Sequence, residues 1–153
     1  LILSLFNFMN SSLMWFINLN RFTKCMNRES WDRLITSHRK KCETILSFSK
    51  EIRYVGVFNE YGRTISGRIK PGIKPIFLPN MVREEFFSIA TIMKLREKSA
   101  KKLGDIEFML INHKKIIILL FYKNGITYYI TCGEKTKPTY TLINKIKKLI
   151  IQG

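Results

Sequence analysis

The sequence predicts an α+β sandwich. One five-stranded antiparallel sheet carries one helix on one face and two on the other, in the order α-β-β-α-β-β-β-α. Three observations predict it. Apolar residues switch between helical spacing and strict alternation as the chain proceeds. The run Lys114–Tyr122, KKIIILLFY, is apolar almost throughout, as a central strand covered on both faces requires. Between it and the next strand stands Asn124–Gly125, the strongest two-residue hairpin signal.

The elements follow in order. Residues 28–41 are polar and basic, with Trp31, Leu34 and Ile35 at the spacing of a short helix. From Cys42 an amphipathic helix is predicted, with Cys42, Ile45, Leu46 and Ser49 inward. Arg53–Asn59 and Arg63–Ile69 alternate and are rich in β-branched and aromatic residues, so they form a hairpin about Glu60–Gly62. Gly56 and Gly67 within it point to close backbone approach or a bulge. Pro71, Pro75 and Pro79 make the next stretch an extended loop. A helix follows to Leu103. Asn80 is placed to cap it, Glu84 and Glu85 fall in its first turn, Lys98, Lys101 and Lys102 fall in its last turn, and Gly104 ends it. Val82, Phe86, Ile89, Ala90, Met93 and Ala100 line its inner face. Phe87, Ile92 and Leu95 lie off that stripe, so the helix is apolar over more than one side. Asp105–Asn112, Lys114–Tyr122 and Gly125–Cys132 are the last three strands. In the closing helix Leu142, Ile143, Ile146, Leu149 and Ile150 face inward.

The 153 residues, 46% hydrophobic and 12% aromatic, suit one globular core and exclude a disordered chain. The net charge of +16 invites an anionic partner, nucleic acid or an acidic membrane surface. Lysine outnumbers arginine two to one, however, whereas phosphate and base recognition favours arginine forks. Most of the excess is read as solvation and coding bias. Cys25, Cys42 and Cys132 are odd in number and form no CxxC pair, so neither a zinc site nor a disulfide framework is expected, and the setting is cytoplasmic.

Residues 1–20 carry no charge. The segment 1–25 is read either as a leader extended beyond the native start or as a membrane anchor. It has neither the basic start nor the cleavage site of a secretory signal. If it inserts, Arg21, Lys24 and Arg28 behind it keep the rest in the cytoplasm. The division expected is 1–25 apolar leader, 26–41 basic segment and 42–153 domain.

No catalytic constellation is found. Gly62–Ile69 mimics a phosphate loop, but Arg68 and Ile69 stand where lysine and a hydroxyl residue are needed, and the segment lies in a hairpin. His38 and His113 have no carboxylate or cysteine at ligand or triad spacing, and both are expected at the surface. Glu84 and Glu85 are adjacent and serve the helix dipole. No enzyme activity, cofactor or metal is expected. Basic clusters remain at His38–Lys41, Arg96–Lys102, His113–Lys115 and Lys145–Lys148, with Tyr122, Tyr128 and Tyr129 near some of them. Arg96, Lys98, Lys101, Lys102, Lys145, Lys147 and Lys148 are the candidates for anion binding.

With this element order, residues 42–151 resemble the roadblock/LC7 superfamily, whose sheet is also profilin-like. More narrowly, IRYVGVFNEYGRTISGRIKPGIKPI and EEFFSIATIMKLREKSAKKLG resemble a family of short proteins from ammonia-oxidising archaea that has no assigned function. The roadblock resemblance implies a non-enzymatic module that forms homodimers and scaffolds or regulates small GTPases. It places the partner surface on the strand Asp105–Asn112 and the helix Val82–Leu103, with Phe86, Phe87, Ile89, Met93, Ile106, Phe108 and Leu110 as its candidates. Two other readings stand beside it. One is a basic protein that binds nucleic acid or an anionic surface. The other is a small-ligand sensor of PAS or profilin type, for which a roomy apolar pocket under the sheet would speak.

Overall fold

The computed structural model describes residues 27–133 and 138–152. The expectations for residues 1–25 lie outside the described residues. By its contacts the chain divides into two units, Leu1–Leu34 and Ile35–Gly153. The described part of the first is helical from Arg28. The second holds the sheet and its helices.

Helix α1 runs unbroken over Arg28–Ser47, where two segments were expected. Nothing between residues 28 and 41 breaks a helix, and Glu29 suits the positive end of the dipole. Asn27 begins it by accepting hydrogen bonds at its carbonyl from Ser30 N and Trp31 N.

Strands β1 (Ile52–Asn59) and β2 (Thr64–Ile69) form the expected hairpin. Helix α2 spans Pro79–Glu97. Its cap is not the expected Asn80: Leu78 precedes the first turn, makes no side-chain cap bond, and is followed by Pro79. Proline fits there because its φ is already helical and its missing N–H would have no partner in the first turn anyway. The expected single helix to Leu103 is two. Ser99 N bonds to Arg96 O, tightening the last turn, and a short α3 (Ala100–Leu103) follows before Gly104 at φ 83°.

Strand β3 is Met109–Asn112, shorter than expected. Then come β4 (Ile116–Lys123), β5 (Ile126–Gly133) and helix α4 (Tyr140–Gln152). Asn124 and Gly125 both take positive φ, 51° and 78°, as a two-residue turn between strongly twisted strands demands.

The strands are all antiparallel, in the order β2-β1-β5-β4-β3. The last strand in the chain lies at the sheet's centre, so β1 pairs with β5 across almost the whole chain. One face packs against α1 and α4, through Cys42, Ile45, Ile143, Ile146 and Ile150. The other packs against α2, through Phe86, Ile89, Ala90 and Met93. This is the one-and-two arrangement of helices that the apolar β4 required.

A bulge in β1 changes which residues face which helix. Ile52 pairs with Cys132 and Tyr54 with Thr131, so Arg53 is an extra residue. Strict alternation would put Ile52 and Tyr54 on one face. Instead Ile52 lies in the α1/α4 core and Tyr54 in the α2 core. Gly56 and Gly67 pair across the hairpin on the α2 side. What approaches them is not backbone but side chain. A Cβ on Gly56 would lie 2.7 Å from both Phe86 Cζ and the Tyr54 hydroxyl, and one on Gly67 would lie 2.9 Å from that hydroxyl.

Candidate functional site

Two features of the α2 face bear on function: the outward side of α2 beside the open sheet edge, and a cavity between the sheet and the proline-rich loop.

On α2, Phe86, Ile89 and Met93 are all but fully buried against the sheet. They belong to the core and are not free for a partner. Phe86 stacks on Phe58 with ring centres 4.3 Å apart and meets Tyr129 at 5.3 Å. Phe87 is exposed, but on the flank that meets the β1–β2 turn. There Lys94 Nζ sits 5.6 Å from the centre of the Tyr61 ring, and a Cβ on Gly62 would touch the Phe87 backbone. At about 100° per residue, the outer and opposite sides of the helix carry Met81, Ser88, Ile92 and Leu95. The three apolar residues among them are 44%, 39% and 58% exposed. With Ser88 among them, the steps of seven, four and three residues form a seam of the kind that packs against another helix.

Strand β3 ends the sheet on one side. Ile106 is half-buried on the α2 face, Phe108 packs on the opposite core, and Leu110 is exposed. The other end is β2, where Arg63 and Arg68 flank or occupy the edge and Arg68 pairs with Glu43 of α1 at 3.2 Å. Charge on an edge strand opposes further pairing. The segment MLIN of β3 carries none.

The seven basic candidates do not converge. Arg96, Lys98, Lys101 and Lys102 are exposed around the end of α2 and on α3, while Lys145, Lys147 and Lys148 belong to α4, on the opposite face of the sheet. Lys147 is engaged with Glu107 at 2.7 Å, and Lys145 stands over the Phe48 ring at 4.4 Å. Gly62–Ile69 is a strand-turn element, not a strand-to-helix loop, and does not cradle a phosphate.

The cavity has a volume of about 620 Å³. Tyr54, Phe86, Ile118 and Tyr129 form its floor and Val82 and Glu85 its helical wall. The loop 70–78 covers it with Ile73, Pro75, Ile76 and Phe77. Arg53, Lys74, His113, Lys115 and Thr131 supply its polar groups besides Glu85. The Tyr129 hydroxyl donates to Glu85 at 3.3 Å, and burial followed by that carboxylate holds the phenol well above its ordinary range. At the far end of α2, Tyr122 donates to Glu97 at 3.1 Å, and burial with this bond pushes its phenol up to about 12. Nothing in the sequence pattern marked this cavity, because its lining comes from residues scattered over 53–131.

His38 corrects the surface placement expected from its basic run. It is only 9% exposed, and its Nδ1 shares a 2.6 Å hydrogen bond with the Tyr128 hydroxyl. The signal was available, since Ile35, His38, Cys42 and Ile45 follow one another at steps of three, four and three on a single helix face. His113 is exposed, as expected. Burial, and then the charge of Lys41, lowers the pKa of His38 in the fold. The unfolded chain therefore binds a proton that the folded one refuses once the pH falls below about 6.5. Stability is greatest above that pH and falls as the pH drops toward the folded-state pKa. Thermal melting should show this decline between pH 7 and 5, and His38→Gln should flatten it. An unchanged slope in that variant would remove His38 from the explanation.

Burial pushes the thiols of Cys42 and Cys132 up to about 11, so both stay protonated and behave as small apolar side chains. Among the described residues, no group of histidine, cysteine and acidic side chains is placed to hold a metal ion. Among them also, no helix is long and apolar enough to cross a membrane.

By sequence the chain matches no known family and no curated protein. By structure it is similar to the gliding protein MglB from Thermus thermophilus, at 12% identity over 76% of this chain and 87% of that one, with a TM-score of 0.60. A roadblock/LC7 domain from Streptomyces avermitilis superposes with a TM-score of 0.58, at 8% identity over 74% and 92% of the two chains. An MglB in a tetrameric arrangement gives 0.57, at 12% identity over 71% and 78%. At these identities the likeness is one of fold. The described residues therefore have the fold of a roadblock/LC7 domain.

Proposed function

We propose that this chain is a non-enzymatic regulatory or scaffold module that acts as a homodimer and through protein contacts, in the cytoplasm. The observation that carries the proposal is the seam Met81, Ile92 and Leu95 on α2, exposed on the side away from the β1–β2 turn, together with the uncharged edge strand β3. A two-fold axis through that edge would join two β3 strands into one continuous sheet. The same axis would bring the two α2 helices side by side on one face, where the seams cover each other. The tetrameric arrangement of an MglB with the same fold supports association of this kind. The roadblock resemblance points to a small GTPase as the partner of the dimer. The hairpin and middle-helix strings support kinship with the short proteins of ammonia-oxidising archaea.

Light scattering after size exclusion tests the association. The native chain should run as a dimer at micromolar concentration. Ile92→Glu with Leu95→Glu should weaken the dimer about thirtyfold or more, the consequence of losing ~2 kcal/mol at an interface hot spot. The variant should keep its circular dichroism, because both side chains are exposed. Phe87→Ser, on the other flank, should leave the dimer unchanged. A native chain that stays monomeric at high concentration sinks the proposal.

A further inference from the structure

We propose that the mouth of the cavity beside the loop 70–78 is a docking surface for an anionic lipid bilayer. Aliphatic side chains of the loop enter the boundary between headgroups and acyl chains, and lysines around them stand at the headgroups. This goes beyond the dimer proposal and does not rest on it.

A residue that lines the cavity and is also exposed stands at its rim. Ile69 and Ile76 meet both conditions, at 38% and 50% exposure. Lys74, His113 and Lys115 meet them too. The loop supplies one side of the rim and the turn between β3 and β4 another, so residues far apart in the chain meet at one opening. Leu78, two residues after Ile76, is 65% exposed and extends the aliphatic side. Lys114, exposed in the same turn as Lys115, extends the basic one.

The charge here is not balanced within the domain. The lining holds a single carboxylate, Glu85, which already accepts from Tyr129. Lys74, Lys114 and Lys115 form no ion pair among the described residues. Lys70, at the start of the loop, differs from them: its ammonium is held by the carbonyls of Ser49 and Lys50. Unbalanced positive charge attracts an anionic partner.

The neighbours of these lysines indicate which anionic partner. Interfaces between proteins favour aromatic residues, methionine and arginine, and are depleted in lysine. Surfaces that hold single-stranded nucleic acid present exposed aromatic rings on which bases stack. Here the aromatic side chains of the lining, Tyr54, Phe77, Phe86 and Tyr129, are half-buried or buried. The one arginine of the lining, Arg53, keeps its Nε buried. Exposed isoleucine and leucine among lysines suit a bilayer surface instead. Apolar side chains there reach the acyl boundary, and lysine gains from the negative surface potential.

Co-sedimentation of the full chain with vesicles tests the proposal. A chain of net charge +16 is drawn to any anionic surface, so variants must locate the effect. The native chain should bind equimolar phosphatidylcholine–phosphatidylserine vesicles at least about tenfold more tightly than phosphatidylcholine alone, and less tightly as salt rises. Lys74→Gln with Lys115→Gln should weaken that binding about 25-fold, roughly fivefold for each lysine at the surface. Lys145→Gln with Lys148→Gln removes the same charge from α4, on the opposite face of the sheet, and should change it less than about twofold. Ile76→Ser with Leu78→Ser leaves the charge untouched and should weaken binding about tenfold or more, through apolar area no longer taken from water. That variant should fold like the native chain, since both side chains are exposed and serine is favoured at the helix-capping position of Leu78. Equal losses from the two lysine pairs would reduce the effect to diffuse charge and overturn the site. So would an Ile76–Leu78 variant that binds the vesicles as the native chain does. A native chain with no preference for the anionic vesicles overturns the proposal outright, and binding of single-stranded DNA through Lys74 and Lys115 in that case would assign the surface to nucleic acid.

Discussion

Replacing Phe86 with alanine is expected to destabilise the fold by about 3–5 kcal/mol, the range for removing a buried phenyl ring. The ring is 1% exposed, stacked on Phe58, tilted against Tyr129 and seated over Gly56. Phe58 and Tyr129 are themselves held in strands at no more than 2% exposure, so neither ring can swing into the void. A domain of this size has ~5–15 kcal/mol in total, so the loss should bring the variant close to unfolding. Urea denaturation gives the number directly. Phe87→Ala is the natural comparison and should stay within ~0.5 kcal/mol, since that ring is 63% exposed. If the two substitutions cost the same, the packing of α2 described above is wrong.

Ile130→Ala is the second large effect, expected at about 2–5 kcal/mol. Ile130 stands in the middle strand, paired with Val55 on one side and Leu119 on the other, and all three are fully buried. They form one row across the sheet beneath α1 and α4. Backbone ladders on both sides fix their spacing, so the row cannot close over a missing side chain. The unfolding midpoint in urea should fall with little change in slope, because the unfolded chain exposes nearly the same surface. A loss below ~1 kcal/mol would mean that the site relaxes, against the rigidity expected of a doubly paired strand.

These two residues also show how far the sequence reaches. Ile130 is legible in it. The alternation of Gly125–Cys132 sends Tyr128, Ile130 and Cys132 to one face and Thr127, Tyr129 and Thr131 to the other, and the structure keeps that division. The two-residue turn at Asn124–Gly125 and the inward face of α4 are legible for the same reason: side-chain direction there follows directly from backbone period. Phe86 and Phe87 are not separable in this way. Both lie on a helix apolar on more than one side, and only the sheet beneath decides which ring is core. The same holds for His38, whose basic neighbours suggested the surface while its helix face sent it inward to Tyr128.

The candidate sites were legible only in part. The excess apolar surface of α2 was visible, and the resemblance singled out β3. Of the seven residues expected there, Phe86, Ile89 and Met93 are spoken for by the core, and the exposed seam falls instead on Met81, Ile92 and Leu95. The cavity was foreseen only as something a ligand sensor would need. Arg53 lines it beside Tyr54 because of one extra residue in β1, and neither composition nor alternation announces a bulge.

By itself, then, the sequence determined the five strands, the antiparallel sheet covered on both faces, and the roadblock-like order, because each follows from local period and turn chemistry. The tertiary structure alone decided that α1 is one helix, which side of α2 stays open, and that Arg53 lines the cavity beside Tyr54. Those outcomes depend on which surfaces meet across the sheet, and residues far apart in the chain settle them.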